Sequence, residues 1–149
     1  MLEDSLKNLN KISEADHSYQ FGPALDLVYQ ELARTKLARE KAVALTSTLD
    51  TMAKTVPEIA PVKARNSAMK GVSEEVSLIS HLVVYNDTLN ALLETLRYKF
   101  TGDIRYDAED VQKLIGNLNR EAKEVNNLNG SFNKTMREFD ALIEKRPVL

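Results

Sequence analysis

Cysteine is absent from this chain, and proline (4) and glycine (5) are scarce among its 149 residues. Without cysteine there is no disulfide framework and no thiolate metal site, and a reducing compartment is compatible with the composition. Few glycines and prolines mean few forced turns, which favours long regular elements. The longest apolar run, Leu82–Tyr85, is far shorter than the roughly 20 residues of a transmembrane helix.

Neither sign of charge dominates, because 20 basic and 22 acidic residues give a formal net charge of −2. Nucleic acids and anionic membranes attract strongly basic surfaces, so we expect no nucleic-acid partner and disfavour a membrane partner. The N-terminus, Met1–Ser5, lacks the positive start and apolar run of a signal peptide. We therefore expect a soluble, intracellular protein of the cytoplasm that forms a single domain over residues 1–149.

Apolar residues recur every three or four positions along most of the chain, which predicts amphipathic α-helices. Pro57 and Pro61 separate two of these helices, and Gly102 fits the position just after a helix C-terminus. Asp107 fits the N-cap of the last helix. The predicted helices cover about residues 3–16, 23–54, 62–100 and 107–145.

The fourth predicted helix carries the most regular pattern in the sequence, with steps of four and three that alternate without a miss. The one polar member, Asn129, either sets register and partner choice or marks a local gap beside Gly130. Leu114, Leu128 and Leu142 flank this seam and widen it, which suits a bundle of three or more helices. The predicted core positions are Val111, Ile115, Leu118, Ala122, Val125, Asn129, Phe132, Met136, Phe139 and Ile143.

Similar stripes run along the second and third predicted helices. The second stripe loses phase between Leu32 and Ala38 and then continues through Leu45 and Met52, and the third includes Val76. Short connections between long helices make neighbouring helices antiparallel. The predicted fold is all-α: an elongated antiparallel bundle of three long helices with coiled-coil-like packing, plus a short N-terminal helix.

Residues suited to catalysis or metal binding are not clustered in the sequence. His17 and His81 are the two histidines, and neither stands in a spaced cluster of ligands or acid–base partners. We interpret the acidic pair Glu74–Glu75 as solvated surface. No glycine-rich phosphate loop is present, since the five glycines are isolated from each other. We therefore predict that the chain is not an enzyme and has no catalytic residue, metal ligand or cofactor.

The long heptad pattern instead predicts a non-catalytic protein–protein interaction module, a small helical scaffold or adaptor subunit of a larger assembly. Its expected partners are other helical proteins or a second copy of the chain. The predicted architecture resembles that of many small helical subunits of cytoskeletal, kinetochore and tethering assemblies. The candidate partner-binding residues are Leu114, Leu128, Asn129, Phe132, Phe139 and Leu142.

Two alternative functions fit the sequence less well than an interaction module. A curvature-sensing or lipid-binding bundle fits the helix lengths, but anionic membranes attract a basic face that this sequence lacks. A helical-bundle enzyme needs Glu and His directed inward from facing helices.

The aromatic residues around the turn between the third and fourth helices, such as Tyr98, Phe100 and Tyr106, belong either to the core or to an interface.

Overall fold

The structure is a computed structural model that describes the backbone of residues 2–144 and the side chains of residues 4–144. The described chain is all-α, as predicted, and contains no strand. Every described helix end lies within two residues of its predicted position, while the predicted end at Lys145 lies outside the described residues. The helices are α1 (Leu2–His17), α2 (Phe21–Thr55), α3 (Val62–Thr101) and α4 (Ala108–Glu144), with a 3-10 turn at Val56–Glu58.

Local hydrogen bonds close the turn between α3 and α4, and they confirm both predicted signals. Gly102 has a φ of 67°, and the N–H of Asp103 donates to the carbonyl of Tyr98 at 2.9 Å, as in a Schellman motif. The carboxylate of Asp107 accepts the N–H of Glu109 at 2.8 Å. Asp107 is therefore the N-cap of α4.

The turn between α1 and α2 has the same geometry without a glycine. The N–H of Gln20 donates to the carbonyl of Ala15 at 2.8 Å, and Tyr19 adopts a φ of 55°. A side chain with a Cβ in this left-handed region costs about 1–2 kcal/mol. The connection is also shorter than predicted, because α2 begins at Phe21 and Pro23 lies in its first turn, where the missing N–H has no intrahelical partner.

The chain divides into two compact units, and each of the three long helices contributes to both. Unit 1 comprises Met1–Glu40 and Val84–Ala122, and unit 2 comprises Lys41–Val83 and Lys123–Leu149. Unit 1 therefore contains α1, whereas unit 2 contains segments of α2, α3 and α4 alone. The single domain predicted from the chain length stays a prediction.

Unit 1 packs segments of all four helices around one apolar core. Ile12 of α1, Val28 of α2, Leu89 and Leu93 of α3, and Leu118 of α4 are all buried in it. Each such side chain contributes about 1.5–3 kcal/mol by leaving water. Helix α1 is thus the fourth helix of this unit.

A buried polar pair joins α1 to α2 inside unit 1. Glu31 is only 1% exposed, and its Oε1 accepts a hydrogen bond from the side-chain amide of Asn8 at 2.6 Å. A second polar contact, the 2.5 Å ion pair between Asp16 and Lys99, joins α1 to α3. Burial and the negative charge of Glu31 raise the pKa of Tyr85. Arg34 of the same helix lies 3.6 Å from Glu31, and Asn8 adds a hydrogen bond from α1; because burying a carboxylate is costly, this bond favours the observed position of α1.

Unit 2 has a smaller buried core. Ala42 and Leu49 of α2 and Ile79 of α3 form it, with Val83 packed against its edge. The 3-10 turn that separates α2 from α3 buries Val56, and it confirms the break predicted at the two prolines. Since α1 belongs to unit 1, the described residues of unit 2 form three helical segments and include no fourth helix.

The buried face of α4 differs from the predicted seam by one residue at every second position. Asn129, which was predicted to be a core residue, is exposed, and Ile115 and Ile143 are exposed as well. The polar residues Glu121 and Thr135 are buried instead. Ala122 and Met136, the other two predicted residues at these positions, are half-buried, so the covered face includes them and is centred toward the polar pair that the apolar pattern places on the surface. The observed seam, buried or half-buried throughout, is Val111, Leu114, Leu118, Glu121, Val125, Leu128, Phe132, Thr135, Phe139 and Leu142.

The other long helices give two further corrections, and buried polar residues explain the one on α2. The predicted loss of phase in α2 does not occur, because Glu31 and Thr35 are buried and continue the heptad from Val28 to Ala42. On α3, Val76 was predicted to lie in the apolar stripe but is 49% exposed. Buried Gly71 and Leu78 occupy the covered face of α3 on either side of it.

The left-handed Tyr19 generates a stability prediction. Replacing Tyr19 by Gly removes the Cβ strain, and because the residue is 82% exposed, little packing is lost beyond the edge contact of its ring with Phe21. We expect Tyr19→Gly to raise the free energy of unfolding by about 1 kcal/mol, measured by urea denaturation. The control is Ser18→Gly, whose position has no positive φ and should lose about 0.5–1 kcal/mol. Equal destabilisation by both variants would contradict this account.

Candidate partner-binding groove

An apolar groove with a volume of about 320 Å³ lies within unit 2 and opens to solvent. We call it the unit 2 groove. Its size is at the lower end of the roughly 300–1,000 Å³ typical of ligand sites. Its walls come from α2, α3 and α4, and its main apolar side chains are Leu45, Met52, Val72, Phe132, Met136 and Phe139.

The α2 wall of the groove is a heptad position that unit 1 covers and unit 2 leaves open. Ala24, Glu31, Leu45 and Met52 share this position, since multiples of seven residues separate them. In unit 1 Ala24 is 0% and Glu31 is 1% exposed, and the hydrogen bond from Asn8 shows that α1 covers Glu31. In unit 2 Leu45 is 47% and Met52 is 48% exposed. The described residues therefore cover only about half of the surface of these two predicted core residues.

Helices α3 and α4 approach each other closely beside the groove. A Cβ on Gly71 would lie 3.2 Å from the Sδ of Met136, so the absence of a side chain at this position permits the approach. The hydroxyl of Ser67 donates to the carbonyl of Thr135 at 3.2 Å, and the hydroxyl of Ser131 donates to Glu74 at 2.5 Å. These contacts hold α4 against α3 independently of α2.

The neighbouring carboxylates Glu74 and Glu75 have opposite environments. Burial raises the pKa of Glu74, but the hydrogen bond from Ser131 and the charge of Lys70 outweigh it and leave this pKa below its ordinary value. Burial alone raises the pKa of Glu75, which lines the groove. The interpretation of this pair as solvated surface was wrong, because both side chains are half-buried.

The structure separates the six residues predicted to bind a partner. Phe132 and Phe139 line the unit 2 groove together. Leu114 packs against the core of unit 1 instead, and Asn129 is exposed and accepts a hydrogen bond from Asn133 at 3.3 Å. Leu128 and Leu142 are half-buried and do not line the groove. Whether any of the six binds a partner stays a prediction.

The groove residues of α2 and α3 were missed as binding residues. The sequence pattern predicts Leu45 and Met52 to be core residues and Glu75 to be solvated surface, and it indicates no binding role for Val72. One signal was present, namely that α1 is too short to cover the whole of α2. A sequence pattern shows which face of a helix is apolar but not how far along the helix a neighbour reaches.

Aromatic side chains also meet near the α3–α4 turn, within unit 1. Phe21 stacks on Phe100 with ring centroids 6.0 Å apart, and Phe100 packs against the core. The guanidinium of Arg105 lies 4.2 Å from the centroid of the Tyr98 ring. The same guanidinium hydrogen-bonds the carboxylate of Asp103 and lowers its pKa to about 2. Of the two predicted readings of Phe100, core packing is the one observed.

Within residues 4–144, no group of three or more His, Asp or Glu side chains is placed to hold a metal ion. Glu14 and His17 do stand at Glu-x-x-His spacing on α1, but both are exposed, and the imidazole Nδ1 lies 2.7 Å from the carbonyl oxygen of Ser13. None of the described helices is both long and apolar enough to span a membrane. The absence of an enzymatic activity and of a cofactor stays a prediction.

Comparisons with known proteins reveal no relative: no family model, no curated protein and no solved structure matches the chain.

The opposite environments of Glu74 and Glu75 predict opposite pH dependences. A raised folded-state pKa favours the protonated form, so the ionisation of Glu75 destabilises the fold increasingly as pH rises above its ordinary pKa. We expect Glu75→Gln to be more stable than the wild type at pH 7 and to lose this advantage on acidification. Thermal unfolding of the variant and the wild type between pH 3 and pH 7, about the range over which a carboxylate titrates, measures the difference in their stability.

Glu74→Gln is the matched control with the opposite sign. The lowered pKa of Glu74 stabilises the fold above its ordinary pKa, and this stabilisation is lost as pH falls through the lowered value. We expect Glu74→Gln to be less stable than the wild type at neutral pH and equal to it in acid. Parallel pH profiles for the two variants would contradict the assignment of these environments.

Proposed function

We propose that this chain is a non-catalytic protein–protein interaction module, a small cytoplasmic scaffold or adaptor subunit that binds a partner helix in the unit 2 groove. The observation that carries the proposal is the uncovered heptad position at Leu45 and Met52. The elongated antiparallel bundle with coiled-coil packing stays a prediction.

The exposure of these residues favours an occupant that is itself a helix. Heptad positions are covered by side chains from a neighbouring helix, as α1 covers the corresponding positions in unit 1. Burying the exposed half of Leu45 and of Met52 would contribute about 1 kcal/mol each. An amphipathic helix in an apolar groove is a common mode of peptide recognition.

Binding at a membrane surface is the competing prediction. A membrane-binding face combines apolar side chains with basic ones, whereas the single ionisable residue that lines the unit 2 groove is the acid Glu75. Co-sedimentation with anionic liposomes that is lost on changing Leu45 and Met52 would favour the membrane over a protein partner.

Affinity capture from cell extract tests the proposal with a matched pair of double variants. Leu45→Glu with Met52→Glu places two charges in the groove, and Leu37→Glu with Val43→Glu places two at positions 52% and 46% exposed on the same helix outside it. We expect the wild type and the control to recover the same proteins, and the groove variant to lose at least one of them completely.

Circular dichroism and urea unfolding must first show that both double variants retain the wild-type fold. All four side chains are about half exposed, so each substitution is expected to cost about 1 kcal/mol, similarly in the two double variants, and the fold is expected to be retained. If the groove variant then recovered the same proteins as its control, the groove would not be the binding site.

A further inference from the structure

The unit 2 groove has the length of a short helix. Its α2 wall extends from Leu45 to Val56, which corresponds to about 17 Å along a helix axis and to about three turns. Its α3 wall, from Ala68 to Ile79, has the same length. An occupant of three turns presents three or four side chains to such a groove, at positions three and four residues apart.

One charge distinguishes this groove from a uniformly apolar surface. Glu75 is the single ionisable residue among those that line it. Its neighbour Glu74 accepts a hydrogen bond from Ser131 and lies 3.8 Å from the Nζ of Lys70. Among the residues that the structure describes, none pairs with Glu75, whose half-buried carboxylate faces an apolar groove.

We propose that the natural occupant of the unit 2 groove is an amphipathic helix of another protein, about three turns long, whose apolar ridge is flanked by a Lys or Arg that pairs with Glu75. This inference rests on the proposed function and specifies the partner's chemistry. Covering the groove with an uncharged helix would bury the carboxylate without compensation, whereas a cation on the occupant supplies its partner.

Two other occupants fit the groove less well. A fatty acid or another anionic lipid would bring a second negative charge toward Glu75, and like charges at short distance disfavour each other. A second copy of this chain could offer α1 only by withdrawing Ile12, which is 2% exposed, from the core of unit 1. That withdrawal would also leave Glu31 without the hydrogen bond from Asn8.

A charge-swap selection with the full chain tests the pairing. The probe is a displayed library of helices with the 16-residue length of α1, a fixed leucine ridge, and Lys, Glu or Gln at each central position beside the ridge. The targets are the wild type, Glu75→Lys, Glu75→Gln and the Leu45→Glu/Met52→Glu variant. Selected helices are then measured individually by fluorescence anisotropy.

We expect the wild type to enrich Lys at one flanking position and Glu75→Lys to enrich Glu at that position, with about a fivefold affinity ratio, equivalent to ~1 kcal/mol. Glu75→Gln should show neither preference. It also keeps the test valid if Glu75→Lys does not fold, because a Lys preference that survives in Glu75→Gln overturns the pairing.

The remaining outcomes separate this inference from the proposed function. If helices bind the wild type but not the groove variant, and their charge preference is the same for all Glu75 variants, the groove binds helices but the pairing is wrong. If the wild type enriches no helix over the groove variant, the proposed function fails as well. If sedimentation shows a wild-type dimer that the groove variant abolishes, the occupant is a second copy and the inference is overturned.

Discussion

The structure depends on how far a covering helix extends along α2. An apolar heptad face remains in water unless a neighbouring helix covers it, and α1, with 16 residues, is less than half as long as α2, with 35. Where α1 is present, the shared heptad position at Ala24 and Glu31 is closed to solvent. Where α1 is absent, Leu45 and Met52 remain half exposed. The difference between the two units follows from this one mismatch in length.

The polarity of this heptad position differs between the two units. The covered position contains the polar Glu31, and the uncovered position contains Leu45 and Met52. Glu31 accepts a hydrogen bond from Asn8, so a different helix in the place of α1 would leave this carboxylate with Arg34 of its own helix, 3.6 Å away, and without its hydrogen bond from α1. The polar pair thus favours α1 in unit 1, while the apolar residues of unit 2 remain half exposed to solvent. Specificity in the first unit comes from the cost of a wrong neighbour.

Sequence patterns predicted the helices well and their contacts poorly. Breakers and caps such as Pro57, Gly102 and Asp107 act locally, so the ends of the helices could be predicted from the sequence. The register of α4 depends on partners distant in sequence. Leu114 and Ile115 fit a helical stripe equally well, and the hydroxyl of Ser67, which binds the carbonyl of Thr135, shows which face meets α3. A buried polar residue appears as a surface position until its partner is known.

The cost of burying an unpaired carboxylate also suggests a role for Glu75 in the proposed binding. An apolar groove without a charged residue can bind any exposed apolar surface, including that of a misfolded chain or of a second copy. A carboxylate such as Glu75 contributes little to the affinity of the correct partner, because an ion pair that loses water gains little net energy. Glu75 raises the free energy of any complex in which the occupant buries its carboxylate without supplying a cation. Under the proposed function, the selectivity of the groove would therefore come from the occupants that Glu75 disfavours.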